Sequence, residues 1–240
     1  KLHKSENVDK YKLNFYKRLA LDKILFLFLV NSEIRKKIKK IKKQKKNFNL
    51  KAQNEIISKL NFQLTNDQKK SISQINNDLT SNQKMFRLLQ GDVGSGKTIV
   101  ALLAAFTVIK SGFQVAVMAP TEILARQHYM LAKKIFDESI NIEILSSKSE
   151  SINKKLIAKK LASNKIDLIF GTHAIFQKKI IFKKLGLIVI DEQHKFGVNQ
   201  RKKLSDKGGD NCDVLLMSAT PIPRTLTMTI YGDMDISIIK

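Results

Sequence analysis

The sequence predicts an α/β domain with a parallel β-sheet flanked by helices, preceded by a long helical connector. Three observations carry this reading. From about residue 60 onward, short and wholly apolar segments alternate with helix-forming stretches, the pattern of strands buried on both faces. Gly91-Asp92-Val93-Gly94-Ser95-Gly96-Lys97-Thr98 fits G-x-x-x-x-G-K-[ST] and lies between an apolar run and an apolar helix. Upstream, residues 14–46 set apolar side chains at helical spacing among many lysines.

That upstream stretch reads as one helix from about Asn14 to Lys46. Leu19-Ala20-Leu21 and the run Ile24 to Val30 pack one end, and Ile34, Ile38 and Ile41 continue an apolar stripe. The basic run from Arg35 to Lys46 then covers the opposite face, either as a solvated surface or as a contact for DNA phosphates. Residues 47–61 read as a connection with a short helical turn, which places a connector over residues 1–50 and the α/β domain over 60–240. Leu19 to Val30 is apolar but far short of the ~20 residues that a membrane-spanning helix needs, so no membrane partner is expected.

Within the domain, Ser71 to Leu79 reads as a helix and Met85 to Gln90 as a buried strand. The glycine-rich loop follows, then a helix from Ile99 that stops near Gly112. Val115 to Met118 is a strand, Glu122 to Phe136 a helix and Ile142 to Leu145 a strand. Ile152 to Ala162 is a lysine-rich helix, and strands follow at Asp167 to Phe170, Leu187 to Ile190 and Val214 to Met217. Ligands of such sheets sit at the carboxyl ends of the strands, where the glycine-rich loop lies.

The 240 residues carry a net charge of +23 with 43% hydrophobic residues. The charge favours a polyanionic partner, nucleic acid ahead of membrane. Only six of the 44 basic residues are Arg, and Lys, Asn and Ile abound throughout, so a genome-wide drift in composition explains the charge equally well. Cys212 is the only cysteine, which excludes a disulfide framework and a zinc cluster and fits a reducing cytoplasm. The chain begins at Lys1 without a signal-peptide pattern, consistent with a piece of a longer protein.

Strand, glycine loop and helix together make a nucleotide site. Glycines let the backbone turn tightly and aim N–H groups at phosphate oxygens, and the helix N-terminus adds partial positive charge. Gly91, Asp92, Val93, Gly94, Ser95 and Gly96 form the cradle, Lys97 reaches the β- and γ-phosphates of ATP, and the Thr98 hydroxyl holds Mg²⁺. Asp191-Glu192 closes an all-apolar strand. An NTPase of this kind needs one carboxylate for the metal and one for the attacking water, here Asp191 and Glu192.

With Asp191-Glu192-Gln193-His194 the sequence resembles the first motor domain of a superfamily 2 helicase of the DExH type, a RecA-like P-loop domain. Phe62 to Gln68 is similar to the family's Q motif, which implies that Gln68 reads the adenine edge. On its own the segment reads as a helix cap at Thr65 followed by a surface Gln. Ala119 to His128 resembles motif Ia and Gly171-Thr172-His173 motif Ib. In the family these loops grip the phosphate backbone of a DNA strand, so the resemblance assigns DNA contacts to Thr121, Arg126, Thr172 and His173. Ser218-Ala219-Thr220 resembles motif III, which with His194 couples hydrolysis to DNA grip.

The motifs from Gly91 to Thr98, Met118 to Ala125, Gly171 to Gln177, Asp191 to Arg201 and Ala219 to Leu226 together resemble the RecG family of bacterial helicases, which remodel branched DNA, forks and Holliday junctions, in recombination and repair. The transcription-repair coupling factors share much of this core; Gln193 and Gly94-Ser95-Gly96 favour RecG. A non-catalytic nucleic-acid-binding module is the reading of another class, and intact Lys97, Thr98, Asp191 and Glu192 argue against it. Lys195 stands where the family usually has Arg, and Arg126 where an acidic residue is common. The resemblance also implies a second RecA-like domain that supplies an arginine finger. The 240 residues alone are therefore expected to bind ATP, hydrolyse it poorly and unwind no DNA.

Overall fold

The computed structural model describes residues 42–146, 151–177, 179–192, 209–220 and 234–240, together with residues 15, 17–26, 29 and 33. The chain divides into two compact units, one of residues 1–40 with 222–234 and one of residues 41–221 with 235–240.

In the first unit the described residues of 15–33 are helical, as the periodicity predicts. Their apolar side chains Leu19, Leu21, Ile24, Leu25, Phe26 and Leu29 are exposed rather than packed. The helix does not run on to Lys46, because residues 43–49 belong to the second unit and are not helical. They lie as a strap on it. Lys42 bridges Gln83 in antiparallel fashion, and the Lys43 and Lys46 amides donate to Asn82 O (2.9 Å) and Leu79 O (3.1 Å). Both ammonium groups are buried on Asp213, with Lys43 Nζ at 2.6 Å and Lys46 Nζ at 3.0 Å from its carboxylate oxygens. Lys46 Nζ also lies 4.8 Å from the centre of the Phe113 ring, a cation–π distance. The predicted solvated lysines are thus in part interior. A buried acid elsewhere in the chain decides their conformation, and local periodicity carries no trace of it.

The second unit follows the predicted alternation. Helices α1 (Leu50–Ser58) and α2 (Asn66–Thr80) precede strand β1 (Phe86–Gly91) and helix α3 (Lys97–Lys110). Then come β2 (Gln114–Met118), α4 (Glu122–Ile135), β3 (Ile142–Leu145), α5 (Ser151–Ala162) and β4 (Leu168–Gly171). A 3₁₀ turn (His173–Phe176), β5 (Leu185–Ile190), β6 (Asp213–Ser218) and β7 (Asp235–Ile239) complete it. The seven strands form one sheet in the order β3-β4-β2-β5-β6-β1-β7, and every neighbouring pair is parallel. Parallel strands need crossovers, and the helices that provide them cover the sheet. This is the RecA-like arrangement.

Strands β2, β4, β5 and β6 are buried along their whole length, as continuous apolar runs require. Helix α3 is buried on nearly every side from Ile99 to Val108, the signature of a core helix rather than a surface one. Gly112, at φ +80°, ends it where predicted. Helix α2 begins five residues before its predicted start, with Thr65 and Gln68 forming a reciprocal capping box. Strand β7, absent from the predicted set, pairs with β1 from Arg87↔Asp235 to Gly91↔Ile239. Since all strands run the same way, the carboxyl ends of β1, β2, β4, β5 and β6 share one edge of the sheet, and with them the glycine-rich loop, Thr121, Thr172, Asp191 and Ser218.

Candidate active site

The loop after β1 takes the shape the glycines allow. Gly94 and Gly96 stand at φ +83° and +85°, a region costly for residues with a Cβ. At Gly96 a Cβ would also run into Gln68 Nε2. At Gly91 it would lie 2.6 Å from Ser95 Oγ and 2.7 Å from Ile239 O, so β7 packs against the root of the loop. The Asp92 carbonyl accepts Ser95 N–H (3.1 Å) and closes the turn, leaving Val93 exposed at its tip. Gly96 caps α3, accepting the Ile99 and Val100 amides on its carbonyl, while the amides of Lys97 and Thr98 at the first turn have no partner within the helix and carry its positive end.

Lys97 is buried, and its ammonium donates to Gly91 O (2.6 Å) and Asp92 O (2.7 Å). Burial pushes its pKa below the usual lysine value, while the carboxylates of Asp191, Glu192 and Asp92 pull the other way. The loop thus holds a dehydrated cation on two carbonyls. Ser95 Oγ is buried with no hydrogen-bond partner. An orphan hydroxyl, a buried cation and the open end of a helix form a donor set suited to a polyphosphate.

Gln68 lies against this loop. Its Oε1 accepts Thr65 N–H (2.9 Å), the Thr65 hydroxyl accepts Gln68 N–H (3.3 Å), and its Nε2 donates to Ser95 O (2.8 Å). Thr65 caps the helix as expected from the local sequence, but Gln68 is buried rather than at the surface.

Asp191 and Glu192 follow β5 directly. Asp191 N–H donates to Met118 O (2.8 Å), extending the β5–β2 ladder, and its side chain is mostly buried. Its Oδ1 accepts Glu192 N–H (3.0 Å), and its Oδ2 lies 2.8 Å from His128 Nε2. Glu192 stands at φ +51°, left-handed backbone that a side chain adopts at a cost of about 1–3 kcal/mol and that concentrates at functional positions. Ser218 ends β6, and Ser218 Oγ and Thr220 Oγ1 share a hydrogen bond of 2.9 Å. Gln90 Nε2 donates to Thr220 O (3.2 Å), tying this turn to the strand that leads into the loop.

The sheet therefore brings Gln68, the loop, Lys97, Asp191 and Glu192 together, with Ser218 and Thr220 alongside. Thr121, Arg126, Thr172 and His173 sit further along the same edge, because β2 and β4 lie three and four strands from β1. Thr121 caps α4 by accepting Leu124 N–H (3.3 Å), and Arg126 is exposed on that helix. Thr172 precedes the 3₁₀ turn with no side-chain capping bond, and His173 is exposed. His194 lies outside the described residues.

Sequence reasoning missed one member of the constellation, His128. It lies on the buried stripe of α4 with Ala125, Ala132 and Ile135. A histidine on an otherwise apolar stripe is the signal that singles it out, because a buried imidazole needs a polar partner.

The DEAD/DEAH box helicase family matches residues 65–229. The chain is 48% identical over 246 aligned positions to the ATP-dependent DNA helicase RecG of Aquifex aeolicus, covering 99% of this chain and 31% of that protein. It is 51% identical over 180 positions to the RecG of Streptococcus pneumoniae, covering 75% and 26%. It therefore spans about three tenths of the length of these relatives. Among solved structures, RecG bound to a three-way DNA junction matches with a TM-score of 0.83 at 42% identity, over 93% of this chain and 30% of that one. The UvsW helicase from bacteriophage T4 shares the fold, with a TM-score of 0.58 at 17% identity over 81% and 68% of the two chains.

Proposed function

Because the chain belongs to the DEAD/DEAH box helicase family, we propose that it is the ATP-binding half of the motor of a RecG-type enzyme. That enzyme remodels branched DNA, forks and Holliday junctions, in cytoplasmic recombination and repair. Similarity to RecG helicases along nearly the whole chain carries this reading, and the buried Lys97 beside Asp191 and Glu192 supports it.

In this reading Lys97 exchanges its two carbonyl partners for the β- and γ-phosphate oxygens of ATP, and the amides of the loop and of α3 surround the rest. Thr98 and Asp191 would hold Mg²⁺, which when bound neutralises charge developing on the phosphates. Glu192 orients the attacking water and accepts its proton. Gln68 reads the adenine edge with the amide hydrogen and oxygen lone pair left over from its bonds to Ser95 and Thr65. Thr121, Arg126, Thr172 and His173 grip DNA phosphates, and Ser218, Thr220 and His194 relay the state of the nucleotide to them. A second RecA-like domain closes over the nucleotide and supplies an arginine finger, worth roughly 10³–10⁵ in rate in related NTPases.

The test is strand displacement on a model fork and on linear duplex of equal length, by this chain joined to its native continuation, with Lys97→Ala as control. We expect ATP-dependent displacement on the fork that exceeds that on the linear duplex and vanishes in the variant. Displacement that survives Lys97→Ala, or none on the fork, would remove the reading.

A further inference from the structure

We propose that His128 is a positioning residue for the metal-binding carboxylate: it fixes Asp191 through a charge-assisted hydrogen bond and sets how tightly Mg²⁺ is held beside the nucleotide. The inference rests on the proposed role of Asp191 and assigns a function to a residue outside the glycine loop and the Asp191-Glu192 pair.

Three observations support it. His128 Nε2 lies 2.8 Å from Asp191 Oδ2, with both side chains about nine-tenths buried. In the proposed role Asp191 offers the metal a carboxylate, an acceptor only, and His128 is then the donor, from Nε2. The other oxygen, Oδ1, accepts the Glu192 amide at 3.0 Å. One donor on each oxygen, from opposite ends of the group, fixes the plane of the carboxylate. Each oxygen keeps a lone pair, so the group is restrained without being used up.

The third observation is the element that holds the histidine. His128 sits on the buried face of α4, between Ala125 and Ala132. Small neighbours let the helix approach the sheet closely, and Tyr129, next along the helix, packs edge-on against Phe170 of β4 with ring centres 6.3 Å apart. The imidazole is therefore presented from a packed helix rather than a loop, the condition under which an outer-shell donor imposes geometry on a ligand. Helix α4 is also capped by Thr121 and carries Arg126, two of the proposed DNA contacts. His128 thus gives that helix a direct bond to the metal-binding side of the nucleotide site.

Equilibrium binding of a fluorescent ADP by the 240-residue chain, titrated with Mg²⁺ and repeated in EDTA, tests this without requiring turnover. The informative variants are His128→Leu, which keeps bulk and removes the donor, and His128→Gln, whose amide reaches the same place. We expect the Mg²⁺ concentration for half-maximal binding to rise about 10- to 100-fold in His128→Leu, the usual cost of losing an outer-shell partner. Binding in EDTA should not change, and His128→Gln should stay close to the parent. If His128→Leu does not fold, His128→Asn, whose amide stops short of Asp191, replaces it with the same expectation. An unchanged Mg²⁺ requirement in the donor-less variant, or equal impairment in His128→Gln, would reduce His128 to a packing residue. A parent chain that binds ADP with no dependence on Mg²⁺ would instead remove the role of Asp191 and this inference with it.

Discussion

A group taken out of water resists its charged form, and Cys212 and Lys97 meet that cost in different ways. Lys97 remains within the field of Asp191, Glu192 and Asp92, so burial lowers its pKa while carboxylates oppose the shift. Cys212 is fully buried just before β6, and burial, reinforced by the charge of Asp213, pushes its thiol up to about 12 from 9.0. The nearby ammonium groups of Lys84, Lys46 and Lys43 favour the thiolate but do not offset its burial. The sign of the linkage follows. The unfolded thiol loses its proton near 9.0 and the folded one only near 12, so this group's contribution is complete below pH 9 and is lost as pH rises above it. Between pH 8 and pH 10 the unfolding free energy of the parent should fall by about 1.4 kcal/mol more than that of Cys212→Ala. Urea denaturation at the two pH values reads the difference, and parallel losses in the two proteins would show that the thiol titrates freely when folded. The site residues were legible at this scale where their chemistry is local. A phosphate loop and an acidic pair each occupy a few consecutive positions, and the sequence displays them. The bond from His128 to Asp191 spans 63 positions and leaves no local pattern.

Among the elements, the strap of residues 43–49 depends on charges that the sequence presents as surface. Lys43 and Lys46 converge on Asp213, which also accepts Met85 N–H at 2.7 Å. Lys43 Nζ donates further to Asp78 O (2.9 Å) and Lys46 Nζ to Asn211 O (2.6 Å). The strap is thereby fastened to α2, to the entry of β1 and to the start of β6. Removing the shared acid leaves two buried ammonium groups without their counter-charge. Asp213→Ala should cost about 3–5 kcal/mol, the range for breaking a buried ion pair from one side. Equilibrium denaturation measures this, and a loss under 1 kcal/mol would mean that water reaches the lysines. Strands β2, β4, β5 and β6 were legible because burial on both faces demands continuous apolar runs. Strand β7 was not, because Asp235 and Ser237 interrupt its apolar residues. Ser237 is buried all the same, since its hydroxyl accepts Arg87 Nη1 (2.9 Å) and donates to Gln74 Oε1 (2.6 Å). A polar strand can be interior when its partners are polar, and those partners lie more than a hundred residues away.

At the scale of the whole molecule, the proposed site draws on both ends of the sheet-bearing unit. Gln68 comes from its early helices, the phosphate loop and acidic pair from its middle, and Ile239 against Gly91 from its last strand. Phosphates, metal and water each have candidate residues within it, whereas the arginine finger is assigned to a second motor domain. The net charge of +23 suits a DNA partner but does not set the rate of hydrolysis. The most direct test compares ATP hydrolysis by the 240 residues alone with that of the chain joined to its native continuation, each with and without forked DNA. If this domain is half of a two-domain motor, turnover is negligible in the short chain and DNA-stimulated in the long one. Robust turnover by the short chain, abolished by Glu192→Gln, would instead place a complete active site within this one domain.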